Sequence, residues 1–157
     1  MEFLAGIMKS EPGTYVLILR NELTATVEVG RWGQLEIVPG YFTYVGSALG
    51  PGGLLARVSR HCRPGKKMHW HIDYLRKHAA PVAVWYSHAA DRLEHRWAAC
   101  VAEMPGMIAV KGFGASDCRC DSHLFFAAAK PSFARFCEMA GGDVCSCTCK
   151  AVRDSFP

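Results

Sequence analysis

The sequence predicts an α+β domain in which a small, mostly antiparallel central sheet is flanked by helices. Three observations predict it. Strand-like runs fill the first fifty residues between turn signals, the apolar period becomes helical from Leu54 onward, and a further strand-like run separates two helical stretches. In order, Thr14–Arg20 is rich in β-branched and large apolar residues after Pro12 and Gly13, and reads as a buried first strand. Thr24–Val29 and Gly33–Val38 alternate apolar with polar residues around the turn glycines of "GRWG", the pattern of a β-hairpin. Tyr41–Val45 follows as another strand. Leu54, Leu55, Val58 and Cys62 then recur at helical spacing, with Arg57, Arg60 and His61 on or beside the opposite face. A second helix is expected over His71–His78 with Ile72 and Leu75 inward. Pro81–Ser87 reads as a strand, and Ala90–Met104 as a helix with Leu93, Trp97, Cys100 and Val101 in its apolar stripe. A loop, a short strand at His123–Ala128 and a helix over Ser132–Met139 complete the domain.

With 157 residues, half of them hydrophobic and 20% charged, the chain has room for one compact domain with a real core. The expected organisation is an N-terminal extension over 1–12, a single domain over 13–140, and a cysteine-rich tail over 141–157. The first residues carry Glu2 and lack an apolar run of roughly 18 residues, so neither an export signal nor a membrane span is expected, and the expected setting is the cytoplasm. A net charge of +4 permits binding to a polyanion without demanding it. The position of the charge says more: "RVSRHCRPGKK" gathers Arg57, Arg60, His61, Arg63, Lys66 and Lys67. Such a run can track phosphates, and it can equally be a solubilising surface.

The eight cysteines fall partly into two tight clusters. In a reducing compartment close cysteines are more often free or metal-bound than bridged. "CRCDSH" offers Cys118, Cys120 and His123 to a zinc ion, and "CSCTC" offers three more thiols. The C-x-C spacing differs from the C-x-x-C knuckle of structural zinc sites. Cys62, Cys100 and Cys137 read as small buried apolar residues.

Two short motifs connect the first strand to the fourth. "GTY" at Gly13–Tyr15 and "YVG" at Tyr44–Gly46 resemble the paired signature of the GIY-YIG nuclease superfamily. The resemblance continues through "GLLARVSRH", where Arg57 precedes His61 by four residues. "MHWHIDYL" follows with His69, and "RLEHRW" with Glu94 on a late helix. It extends over about residues 13 to 116. The insert "TATVEVGRWGQLEIV" between the half-motifs and the "GFGASDCRCDSHLFF" segment are similar to the GIY-YIG-like branch also found fused to DNA-repair glycosylases.

That resemblance implies a metal-dependent endonuclease acting on DNA, in repair or recombination, and a DNA-repair protein as a further partner. It assigns Tyr15 as general base, Arg57 as the clamp on the scissile phosphate, and Glu94 as the ligand of one Mg²⁺, with Mn²⁺ as a substitute. His69 would hydrogen-bond the nucleophile or Tyr44, and His61 would support the site from the face of Arg57. Gly13 and Gly46 are the structural glycines, and Arg60, Arg63, Lys66 and Lys67 the nucleic-acid contacts. The family's late-loop asparagine has no counterpart, since the only asparagine is Asn21; Ser116 and Asp117 stand nearest.

The chemistry asks for these residue types whatever the name. Hydrolysing a phosphodiester needs a base for water, positive charge on the phosphoryl oxygens and stabilisation of the leaving oxygen. Taken singly, Tyr15 and Tyr44 also read as core tyrosines, Arg57 and Arg60 as a solvated helix face, Glu94 as a surface carboxylate, and Asp73 as an acid favoured near a helix start. Two other functions therefore stay open: a non-catalytic nucleic-acid-binding module on the same fold, and a zinc-stabilised interaction module.

Overall fold

The computed structural model describes residues 8–63, 70–113 and 122–155. Among them eight strands and five α-helices follow one another as β1 (Gly13–Asn21), β2 (Ala25–Val29), β3 (Gly33–Ile37), β4 (Gly40–Ala48), α1 (Gly53–Cys62), α2 (His71–Leu75), β5 (Ala80–Ser87), α3 (Glu94–Ala102), β6 (Ile108–Ala109), β7 (Leu124–Ala127), α4 (Phe133–Ala140), β8 (Cys145–Thr148) and α5 (Cys149–Ser155), with a 3-10 turn over Gly30–Trp32 joining β2 to β3. Six strands form one sheet in the order β6-β7-β4-β1-β5-β8, with every neighbouring pair antiparallel. The expected α+β class, with a mostly antiparallel central sheet and flanking helices, is what the chain adopts. β2 and β3 form a separate hairpin sheet.

β1 lies near the centre of the sheet and is covered on both faces, which is why its sequence is a continuous apolar run rather than an alternating one. Tyr15, Leu17 and Leu19 belong to the core shared with Leu54, Val58 and Cys62 of α1, Ile72 and Leu75 of α2, and Val152 of α5. Val16 and Ile18 point into the second core, with Trp97 and Val101 of α3 and Phe136 of α4. The hairpin closes the first core from the side: Val27, Val29, Leu35 and Ile37 are buried, while Thr26, Glu28, Gln34 and Glu36 between them are exposed. The described residues contain no helix long and apolar enough to cross a membrane.

Two boundaries differ from expectation in ways that matter. The third helix begins at Glu94, not Ala90, because Ala89 N–H donates to Ser87 Oγ at 3.1 Å and turns the chain out of β5 into a loop first. Glu94 thereby becomes the first helical residue, where the positive end of the helix dipole favours a carboxylate. The second difference is at the C-terminus. Residues 145–155, within the expected cysteine-rich tail, fold onto the domain: Cys145–Thr148 pairs with β5, and Cys149 and Val152 are buried against the core, where Arg153 Nη1 donates to the Cys62 carbonyl at 3.3 Å. The driving feature is period-two alternation, since Cys145 and Cys147 are partly buried and Ser146 and Thr148 exposed.

The antiparallel register of β1 and β4 decides where the two motif tyrosines meet. Tyr15 stands opposite Gly46, and Tyr44 opposite Leu17. The tyrosines are thus diagonal neighbours on one face, with ring centroids 6.4 Å apart. Gly46 leaves the space that the Tyr15 ring occupies: a Cβ there would lie 2.6 Å from Tyr15 Oη and 2.7 Å from Cζ. Gly46→Ala is therefore expected to destabilise the fold by about 1–3 kcal/mol through overpacking. Chemical denaturation measures it, and a midpoint equal to that of the unaltered protein would show that the ring has room to move.

Candidate active site

The phenol of Tyr15 is buried, with 1% of the residue exposed, and its Oη lies 2.8 Å from His61 Nε2. His61 reaches it from the last turn of α1 and is equally buried. Tyr44 packs near both, its ring 6.2 Å from that of His61. Burial, then the neighbouring Tyr44, raise the Tyr15 pKa well above that of a free phenol, with Arg57 working in the opposite direction. Tyr44 is pushed up to about 12, first by burial and then by the negative charge of Glu94, again with Arg57 opposing. Both phenols are protonated at neutral pH.

Arg57 and Arg60 rise one turn apart on α1, and Trp70 receives both: the guanidinium carbons lie 4.3 and 4.2 Å from its ring centroid. Each such contact is worth roughly 0.5–2 kcal/mol, enough to hold a long side chain near one rotamer. Arg57 Nη1 also donates to the carbonyl of Ser47 on β4 at 3.1 Å. Arg60 has a different fate. Its Nη1 donates to both oxygens of Asp73, at 3.0 and 3.1 Å, and Asp73 is 5% exposed. Asp73 in turn accepts from the Trp70 N–H at 2.8 Å at the start of α2, as its position near the helix dipole suggested. Arg60, expected to contact nucleic acid, is thus engaged in fixing the Trp70 platform.

Glu94 accepts Ser47 Oγ–H at 2.7 Å on one oxygen and His123 Nδ1–H at 2.8 Å on the other. Partial burial alone would raise its pKa, but the hydrogen bonds from His123 and Ser47 outweigh it and hold the carboxyl below its ordinary value. It therefore stays ionised at neutral pH, with 26% of its side chain exposed. His123, weighed from sequence only as a zinc ligand, is buried and orients Glu94; its backbone is pinned to Phe113 and Val45 by bonds of 2.8 and 2.9 Å.

Tyr15, Tyr44, Arg57, His61 and Glu94 thus converge from β1, β4, α1 and α3. Gly13 and Gly46 serve close packing; a Cβ on Gly13 would meet Leu54 Cδ1 at 2.4 Å. Arg63 is exposed at the end of α1. Lys66, Lys67, His69, Ser116, Asp117, Cys118 and Cys120 lie outside the described residues. Ser47 and Trp70 were not singled out from sequence, and His123 was considered there for zinc alone. A serine beside the YVG motif was the one available signal; the other two depend on contacts distant in sequence.

The sequence matches the family described as "Domain of unknown function DUF123" over residues 14–145. The chain belongs to this family. The match runs from β1 to the start of β8, so the DUF123 domain includes every residue of the convergent cluster and the final strand's first position. No curated protein and no solved structure matches the chain.

Proposed function

We propose that this DUF123 domain is a metal-dependent endonuclease that hydrolyses DNA phosphodiester bonds in the manner of the GIY-YIG nucleases. One observation carries the reading: two tyrosines, an arginine, a histidine and an ionised glutamate, drawn from four separate elements, share one end of the sheet. A structural cluster would have little reason to keep an ionised, partly exposed carboxylate and a stacked guanidinium side by side.

The donor set fits Mg²⁺ or Mn²⁺. A hard cation that keeps most of its waters needs only a single carboxylate from the protein. Glu94 would hold it, since its two oxygens retain lone pairs beyond those used by Ser47 and His123. When bound, the cation supplies Lewis-acid charge to the phosphoryl oxygens. Arg57 adds a planar fork for the same oxygens, held ready by Trp70 and Ser47. Tyr15, once ionised, takes a proton from the attacking water as the new P–O bond forms and the strand's P–O bond breaks. His61 Nε2 is placed to receive that proton from Tyr15 Oη. The leaving oxygen takes up a proton, giving one phosphate monoester and one hydroxyl end. The six described cysteines are free thiols and suit a reducing, cytoplasmic setting.

Cleavage of labelled linear, nicked, flap and four-way-junction DNA with Mg²⁺, Mn²⁺ or EDTA tests the proposal. Metal-dependent cutting is expected in the unaltered protein, and Arg57→Ala is expected to slow it about 10²–10³-fold. Arg57→Lys should recover little, because a point charge replaces a fork. Salt-sensitive binding without cutting at any metal or pH would favour a nucleic-acid-binding module instead.

A further inference from the structure

Glu94 and Ser47 face a second space. They line a cavity of about 470 Å³, together with the start of β1, Leu49 and the loop His88–Arg92. Of the five convergent residues Glu94 alone is on its wall, so the hydrolytic roles above leave the rest of the cavity unused. We propose that this cavity receives one unpaired base of the DNA strand being cut, so that the protein selects strands with an unpaired nucleotide over intact duplex. The inference rests on the endonuclease reading and names its substrate class.

Size is the first argument. The cavity lies within the roughly 300–1,000 Å³ of sites that bind a small molecule, and a base can enter a recess of this size only from a single strand or after extrusion from the stack. Charge is the second. Among the described lining residues, and setting aside Glu94 as the metal ligand, the carboxylates of Glu11 and Asp91 face the guanidinium of Arg92 and the imidazole of His95, so the wall is no basic phosphate cradle and suits an uncharged base. Asp91 supplies an acceptor of the kind that pairs with an exocyclic amino group, as on cytosine or adenine.

His88 supplies the third. The Lys9 N–H donates to His88 Nε2 at 2.9 Å, so the ring proton sits on Nδ1 and is donated to the Pro12 carbonyl at 3.0 Å. Both nitrogens are consumed by backbone, which leaves this histidine no lone pair for a metal and no proton to trade. What it offers the cavity is a ring held at a fixed angle, and bases stack on aromatic rings with little regard to sequence. The position next to Glu94 makes the fit mechanistic: a base seated here puts its own backbone beside the carboxylate.

A flap DNA carrying 2-aminopurine at the nucleotide adjoining the junction, titrated in EDTA so that nothing is cut, reads the cavity directly. Ala90 is exposed at the cavity wall, so Ala90→Trp fills the space without entering the core, with Ala90→Ser as its control. The unaltered protein and Ala90→Ser are expected to quench the probe severalfold, and Ala90→Trp to leave it bright while the preference for flap over duplex falls at least tenfold. Asp91→Ala, on the same exposed loop, gives an independent reading: a preference for cytosine over thymine at that nucleotide should vanish. Equal quenching and equal preference in all variants would overturn the proposal, and if metal-dependent cutting persisted the endonuclease reading would stand alone. An unaltered protein that neither binds nor cuts any DNA would overturn both.

Discussion

Replacing Glu94 by glutamine is expected to lower Mg²⁺-dependent DNA cleavage by about three orders of magnitude, the several kcal/mol that a metal's charge contributes to such a reaction. The same change has a smaller structural cost that can be measured separately. A carboxylate accepts on both oxygens, and Glu94 uses one for Ser47 and one for His123. Glutamine can keep both partners, its oxygen accepting from His123 and its amide donating to the Ser47 hydroxyl oxygen, but both bonds lose the charge assistance of a carboxylate. That costs about 1 kcal/mol and lowers the melting temperature by several degrees. DNA binding in EDTA should change only a few-fold. A glutamine variant that cuts within tenfold of the unaltered protein would exclude Glu94 as the metal ligand.

The second large effect is expected at Tyr15. Tyr15→Phe removes the hydroxyl that would take the proton from water, and cleavage should fall about 10²–10⁴-fold. The pH profile separates catalysis from folding. Because burial raises the phenol's pKa above its ordinary value, the ionised fraction at neutral pH is small and increases about tenfold with each unit of pH below that pKa. The unaltered protein's rate should therefore climb steadily from pH 7 to pH 9, and the residual rate of the phenylalanine variant should not. A flat profile for both would remove Tyr15 from the role of base. The linkage has a stability consequence of the opposite sense. A raised native pKa contributes stability that is present below the unfolded value near 10 and is lost as pH rises through the native one, so alkaline unfolding should set in above pH 10.

Local pattern made most of the frame legible. The two-sided burial of β1 was readable as an unbroken apolar run, the hairpin as alternation around "GRWG", and α1 as helical spacing from Leu54. The C-terminal strand was missed because its alternation is carried by Cys145 and Cys147, residues whose chemistry drew attention away from their hydrophobicity. Of the candidate site, the residues inside short motifs converge in space: Tyr15, Tyr44, Arg57, His61 and Glu94. The partners that fix them were not legible in those motifs, because Trp70 acts on α1 from α2, and His123 acts on α3 from the chain leading into β7. Such contacts are set by packing, which no window of sequence contains. Arg60 is the converse case: within a basic run it read as a phosphate contact or a solvated helix face, and the fold adds a pairing with Asp73 that the run does not show.

Ser47 touches both charges of the site, giving its hydroxyl to Glu94 and its carbonyl to Arg57. A carboxylate and a guanidinium this close would ordinarily find each other and cancel. Here a single residue is a spacer between them: the anion is satisfied by a donor, the cation by an acceptor, and among the described residues the two form no ion pair. The protein thus stores opposite charges a short distance apart, ready for ligands of opposite sign. Binding then needs no internal salt bridge to be broken first, and the field across the site is set before substrate arrives.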